Sequence, residues 1–363
     1  MQAVKAWVER QFADIEMVAL MTSLLVLFGL LALFGNMLAP VLVAIAMAYV
    51  LDGVIGMLGR CRVPRLISIA LVGTGAILFI LFALLAIVPL LSEQVGHLIM
   101  QAPHYVSSLR DSLHTLQHQY AGWINPDYVQ HLLSLVADKL QEWGAAAFSF
   151  SLASIPGLIT LLVYVVLVPV LVFFLLKDQG TLIAWGQQFL PRHRALLNRV
   201  WAEVDTQIGN YIRGKFWEMI VVGVATWLVL WWFGHQYALL LGALTGISVW
   251  IPFVGAAVVT IPVVLLSFFQ WGVSDSTLYV LIAYGVVQAL DANLLVPWLF
   301  SEVVNIHPIA IVVAILVFGS MWGVLGVFIA IPMAALVHSV LRVMMGRKSG
   351  EEDILGKEGS REH

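Results

Sequence analysis

Gln288-Ala-Leu-Asp-Ala-Asn-Leu-Leu-Val-Pro297 leads, through Glu302 and His307-Pro308, into Ile309-Ala-Ile-Val-Val-Ala-Ile-Leu-Val-Phe-Gly-Ser-Met-Trp-Gly-Val-Leu-Gly-Val-Phe-Ile-Ala-Ile-Pro332. One carboxylate, Asp291, sits about halfway along an otherwise apolar segment, Leu278 to Phe300. The run that follows is long enough to cross a bilayer, yet Gly319, Gly323 and Gly326 interrupt it. A carboxylate at the centre of a membrane helix costs roughly 2.5–3.5 kcal/mol on insertion scales, so it is expected to face a cavity or a polar partner.

The rest of the chain has the same hydrophobic character. Of 363 residues, 61% are apolar and 11% charged, where soluble domains average about 45–50% and about 25%. Several apolar runs exceed the roughly 20 residues that span a hydrocarbon core of about 30 Å. A membrane barrel would instead need short alternating strands. These features predict an all-α polytopic membrane protein of about eight membrane segments.

Residues 1–91 read as an interfacial helix followed by three spans. The first span, Met17 to Met37, ends at Asn36, Ala39 and Pro40; it is expected to be retained, because its apolar run is longer than a signal peptide's and acidic residues crowd its front. Val41 to Leu58 and Leu66 to Leu91 are the next two. Residues 92–154 are more polar, with Pro103 and Asn125-Pro126 between stretches of helical periodicity, and predict extracytoplasmic amphipathic helices that lie on the membrane or pack over the bundle. Residues 155–215 hold a fourth span, Ile155 to Leu176, and a polar loop and helix from Lys177 to Lys215. Residues 216–341 form the expected transport core, beginning with a span from Phe216 to Phe233, and 342–363 a polar tail.

Cationic residues orient these segments. Of 18 lysines and arginines, only Arg110 and Lys139 fall in Ser92–Ser154; the others lie before the first span, in the Arg60–Arg65 loop, in Lys177–Lys215 and after Leu341. Alternation across successive spans puts those regions on one face, which the positive-inside bias makes cytoplasmic, with both termini. No basic cluster reads as a nucleic-acid patch, and the single cysteine, Cys61, excludes an internal disulfide.

Within the core, Tyr237–Gln270 and Ile309–Leu341 are both too long for one straight crossing, and both carry breakers. The first has Gly242-x-x-x-Gly246, Pro252, Gly255 and Pro262; the second has Gly319-x-x-x-Gly323, Gly326 and Pro332. Single kinked crossings, full hairpins and re-entrant hairpins all satisfy the even number of crossings required. Re-entrant hairpins would make an inverted repeat, as in many secondary transporters; alternatively, the glycines simply allow close helix packing.

Asp291 is the strongest candidate for binding an ion or polar solute. Gln288 lies one turn earlier on the same face, Asn293 adds an amide, and Pro297, having no N–H, should leave the Asn293 carbonyl without a helical partner. Glu218 is a second candidate, although Arg213 and Lys215 lie close enough to pair with it. The backbone breakers expected near the site are Pro252, Gly255, Pro262, Pro297, Gly323, Gly326 and Pro332. His307-Pro308 reads as a helix start. The histidines of 92–154 lack ligand spacing beyond His114 and His118, so no metal is expected. There is no phosphate-binding loop and no hydrolase motif, so neither a cofactor nor an enzyme activity is expected.

Several segments together resemble the autoinducer-2 exporter (AI-2E) family of bacterial membrane proteins. They are Leu38-Ala-Pro-Val-Leu-Val-Ala-Ile-Ala, Leu167-Val-Pro-Val-Leu-Val-Phe-Phe-Leu-Leu-Lys-Asp178, Asn210-Tyr-Ile-Arg-Gly-Lys-Phe-Trp-Glu-Met219, Ile251-Pro-Phe-Val-Gly-Ala256, Gln288 to Pro297, Asn305-Ile-His-Pro308 and Trp322 to Pro332. The resemblance implies a homo-oligomeric, multi-span inner-membrane permease with both termini cytoplasmic. Members have been assigned export of a small signalling molecule or sodium–proton exchange. The chain departs from many relatives in carrying Asp291-Ala-Asn293 where they carry a glutamate before the asparagine, and Ser301-Glu302 where they carry a basic residue after the segment. The expected function is proton- or sodium-coupled secondary transport of a small solute or cation. A passive oligomeric channel and a non-transporting membrane scaffold are the alternatives.

Overall fold

The computed structural model describes residues 15–119, 131, 154–189, 195–252, 254–300, 307–323 and 326–340. Every regular element among them is helical. In chain order these are α1 (Ile15–Arg60), α2 (Arg65–Phe82), α3 (Val88–Gln119), α4 (Ser154–Lys177), α5 (Gln179–Gln187), α6 (Ala195–Trp232), α7 (Ala238–Ser248), α8 (Val254–Trp271), α9 (Asp275–Leu290), α10 (Val296–Phe300) and α11 (Pro308–Trp322), then α12 (Gly326–Val340). Single π-helical turns, Ala83–Ile87 and Asp291–Leu295, join α2 to α3 and α9 to α10.

Five helical stretches are long and apolar enough to cross a membrane: Met37–Arg60, Arg65–Gln101, Val200–Trp232, Val254–Trp271 and Asp275–Phe300. A sixth candidate joins Val163–Lys177 to Gln179–Gln187 through a 78° bend. None of the most apolar window of Arg65–Gln101 is buried against protein, as expected of a surface that faces lipid. The chain is a multi-span helical membrane protein.

Several boundaries differ from those expected. The helix of α1 continues through Asn36 and Pro40 for 46 residues, about 69 Å, although its two apolar stretches still divide there, as Met21–Gly35 and Met37–Arg60. Proline lacks only its own N–H, and neighbouring bonds can carry a membrane helix across it. The polar stretch after Leu91 likewise does not begin a separate surface helix. α3 continues from α2 across the π-helical turn and runs through Pro103. The second amphipathic stretch, Val129 to Trp143, lies outside the described residues, apart from His131. Finally, the span expected to start at Phe216 belongs to a 38-residue helix that starts at Ala195.

The described helices divide into two compact units. In the first (residues 1–73, 167–214 and 300–363), Leu197, Val200 and Val204 pack on Leu336 and Val340, with Leu24 and Phe28 against them. Gly35 leaves room for the Trp322 indole, whose Nε1 would lie 2.5 Å from an added Cβ. Phe28, Phe318 and Trp322 form two successive ring stacks, at 6.2 and 5.6 Å. The Tyr49 hydroxyl donates to Asp205 Oδ1 at 2.5 Å, and Arg213 Nη2 donates to Asn210 Oδ1.

In the second unit (74–166 and 215–299), Leu230, Leu241, Val263, Val280 and Tyr284 form the centre of the core. Tyr105 of α3 stacks on Phe269 of α8 at 4.9 Å, and its hydroxyl meets that of Tyr237 at 2.9 Å. Gln94 Oε1 accepts the Leu240 N–H in the first turn of α7. α6 and α7 approach backbone to backbone. A Cβ on Gly246 would lie 2.7 Å from the Met219 carbonyl oxygen, and one on Gly242 2.9 Å from that of Gly223. The Gly242-x-x-x-Gly246 pair is therefore a packing seam.

Both glycine-broken segments are hairpins. A Cβ on Gly255 would overlap the carbonyl oxygen of Ser248, and one on Gly326 that of Phe318. Seven or eight residues of continuous helix would separate such groups by about 10–12 Å, so the chain must reverse between them. Single kinked crossings are thus excluded. The turn between α7 and α8 contains Pro252, and the turn after α11 contains Gly323 at φ +60°. Pro262 and Pro332, expected as further breakers, lie inside α8 and α12 without ending them. α7 and α11, with 11 and 15 residues, are about 17 and 23 Å long. Both are shorter than a hydrocarbon core of about 30 Å.

The turn between α6 and α7 buries His235, which is 4% exposed. Its Nδ1 accepts the Tyr237 N–H at 3.1 Å, and its ring meets that of Trp271 edge-on at 5.4 Å. Burial lowers its pKa from the ordinary 6.5 to about 4. The unfolded chain therefore takes up this proton first as pH falls, and stability is lost between pH 6.5 and 4. Relative to a His235→Asn variant, whose side-chain oxygen can accept the same N–H, the native protein should lose about 2 kcal/mol between pH 7 and pH 5. Thermal unfolding of both proteins at the two pH values measures the difference; equal losses would rule it out.

Candidate ion-binding site

α6 brings Lys215 and Glu218, one turn apart, to a single buried position. The Lys215 Nζ lies 2.7 Å from Glu218 Oε2, with side chains only 8% and 3% exposed. The same ammonium donates to the Val249 carbonyl at 2.8 Å. Val249 caps the C-terminus of α7, where free carbonyls carry the negative end of the helix dipole. Trp250 Nε1 donates to Met219 Sδ nearby, so side-chain bonds on both sides of the chain tie the C-terminal end of α7 to α6.

α9 supplies the second carboxylate. Asp291 opens the π-helical turn, in which the Val296 N–H reaches back to the Asp291 carbonyl. Such turns insert one residue into a helix and occur frequently at functional sites. Asp291 Oδ1 is buried and has no hydrogen-bond partner among the described residues. Asp291 lies within electrostatic range of both Lys215 and Glu218. Thus one ammonium holds the Glu218 carboxylate and a helix-terminal carbonyl, with the Asp291 carboxylate close enough to feel its charge.

The sequence candidates divide at this point. Asp291 and Glu218 come together. Gln288 donates instead to the Tyr284 hydroxyl at 3.0 Å on its own helix, and that hydroxyl in turn meets Thr260 of α8 at 3.1 Å. Asn293 is exposed, and its amide donates to the Ala289 carbonyl at 2.8 Å. It therefore does not reach Asp291. Pro297 is the second residue of α10, one residue beyond the π-helical turn. Of the two cations near enough in sequence to pair with Glu218, Arg213 and Lys215, it is Lys215, at i, i+3 spacing, that does so. At the other broken segment, His307 caps α11 through Nδ1 with Pro308 in the first turn, so that pair is a helix start.

Comparison with known proteins agrees with this architecture. Residues 20–346 match the family model described as AI-2E family transporter. The chain is 40% identical over 341 residues to the Escherichia coli (strain K12) protein named "Putative permease PerM", covering 94% of this chain and 97% of that one. It is 28% identical to "Putative transport protein YueF" of Bacillus subtilis (strain 168), covering 83% and 82% of the two chains. It is 20% identical to "AI-2 transport protein TqsA" of Escherichia coli (strain K12), covering 92% and 94%. The chain belongs to the AI-2E transporter family.

Proposed function

We propose that this protein is a cation-coupled secondary transporter of a small solute in the bacterial inner membrane, with both termini in the cytoplasm. Asp291 takes up the coupling proton or sodium ion, and the buried Lys215–Glu218 pair sets the electrostatic environment in which it does so. The observation that carries this reading is the Asp291 carboxylate oxygen, buried without a hydrogen-bond partner among the described residues in a helix apolar enough to span the membrane. Ionisable groups at such depth usually mark ion pathways. Hairpins whose helix ends point carbonyls into a site are a recurring part of secondary transporters. The relatives' names, as permeases and transport proteins, support transport in general. The proposed orientation follows from the lysine and arginine distribution.

Everted vesicles carrying the protein, given an imposed proton gradient, test the coupling. Asp291→Asn should reduce gradient-driven movement of sodium or a candidate solute at least tenfold at equal protein level. Identical fluxes for the native protein and the Asp291→Asn variant would remove Asp291 from the mechanism. Flux that ignores the gradient would indicate a passive channel.

A further inference from the structure

Lys215 is coordinated as a bound metal cation would be. Its ammonium sits on a carboxylate oxygen of Glu218 at 2.7 Å and on the carbonyl of Val249 at 2.8 Å. Asp291 supplies a further negative charge within electrostatic range. Carboxylates and helix-end carbonyls are the ligands that hard monovalent cations take in membrane sites. A lysine ammonium is a compact point charge on a flexible four-carbon stem, so it can enter or leave such a position without moving its helix. We propose that Lys215 is a tethered competitor for the transported cation. It occupies the Glu218–Val249 position when no cation is bound and yields that position to sodium, which Asp291 helps to hold. The proposal rests on the preceding reading that Asp291 belongs to the ion site.

The geometry explains why a competitor would be useful. Two carboxylates and a carbonyl at this depth, left alone, would bind a cation too tightly to release it. A tethered ammonium reaches a high effective concentration and so weakens net affinity. Exchange also acts on the hairpin. The ammonium that leaves Val249 gives up a side-chain bond holding the C-terminal end of α7 to α6, so occupancy of the site and attachment of the hairpin change together.

The test measures sodium binding to the purified full chain in detergent. The thermal midpoint is followed as sodium chloride replaces choline chloride at constant ionic strength; a ligand that binds only the folded state raises it with concentration. Replacing Lys215 alone would leave two buried carboxylates, so the informative variant is Lys215→Met/Glu218→Gln. It removes the competitor, keeps an oxygen ligand at position 218 and leaves the net charge of the cluster unchanged. Its sodium dissociation constant should be at least tenfold lower than that of the native protein. An unchanged or weaker dissociation constant, or the absence of any sodium-dependent shift in both proteins, would overturn the proposal. Asp291→Asn separates the two levels of argument. Loss of the sodium response there supports Asp291 as part of the site. A native response in Asp291→Asn removes Asp291 from the ion site, whatever Lys215 does.

Discussion

Gly255→Ala and Gly326→Ala should each destabilise the protein by about 4 kcal/mol or more, enough to abolish a monodisperse folded species in detergent. The reason is specific to these two positions. Each added methyl would overlap a backbone carbonyl oxygen, Ser248 for one and Phe318 for the other. A flexible side chain can rotate away from a new methyl, but a carbonyl in the preceding helix cannot move without breaking that helix or opening the hairpin. Gly285 of α9 is the control. Nothing lies within 4 Å of its added Cβ, and alanine in a helix is favoured over glycine by about 0.5–1 kcal/mol. Gly285→Ala should therefore leave the thermal midpoint unchanged or raise it. If all three substitutions behave alike in size-exclusion and thermal measurements, the hairpin turns are not as close as described.

Lys215→Met alone should cost about 3–5 kcal/mol, because it leaves the 3%-exposed Glu218 side chain as an unpaired buried charge. Adding Glu218→Gln should recover most of that loss. A neutral pair of similar volume is often as stable as the buried ion pair it replaces, since the native pair loses hydration on both partners. The comparison of the two variants is informative because an exposed ion pair would behave differently: it would contribute roughly 0–1 kcal/mol, and the single variant would be nearly silent. Thermal denaturation of the three proteins at neutral pH gives the numbers. A single variant as stable as the native chain would show that Glu218 finds solvent or another partner.

Much of the fold is legible in the sequence because the bilayer leaves few options. Apolar length predicts spans, and the backbone must satisfy itself within each one. The limits appear where two segments meet. Asn36 and Pro40 look like a terminus, but Pro40 removes a single N–H and the helix continues. The polar composition from Ser92 onward suggests a separate amphipathic helix, yet the helix runs on from Val88 and its Gln94 and Tyr105 spend that polarity on α7 and on Tyr237. The glycine pattern predicts breaks in both long segments without distinguishing a kink from a reversal. Only the approach of Gly255 to Ser248 and of Gly326 to Phe318 does so.

The candidate site was legible in its acids and hidden in its base. Asp291 and Glu218 stand out because carboxylates are rare at membrane depth. Asn293 looked equally apt, two residues from Asp291, but a short amide side chain readily bonds the carbonyl one turn back, as Asn293 does with Ala289. Lys215 is the last cation before a long stretch without lysine or arginine, and nothing in the sequence says that it turns inward to the end of α7.

In the proposed site, with Glu218 and Asp291 both ionised, one ammonium against two carboxylates leaves a single negative charge over. A transmembrane voltage does work on such a charge, about 2.3 kcal/mol for each 100 mV it crosses. With a monovalent cation aboard, the same three side chains and their guest are neutral, and the voltage has nothing to act on. Membrane potential would therefore bear on the unloaded form of this cluster and leave the loaded form indifferent, so the electrical cost of a cycle would fall on the return journey.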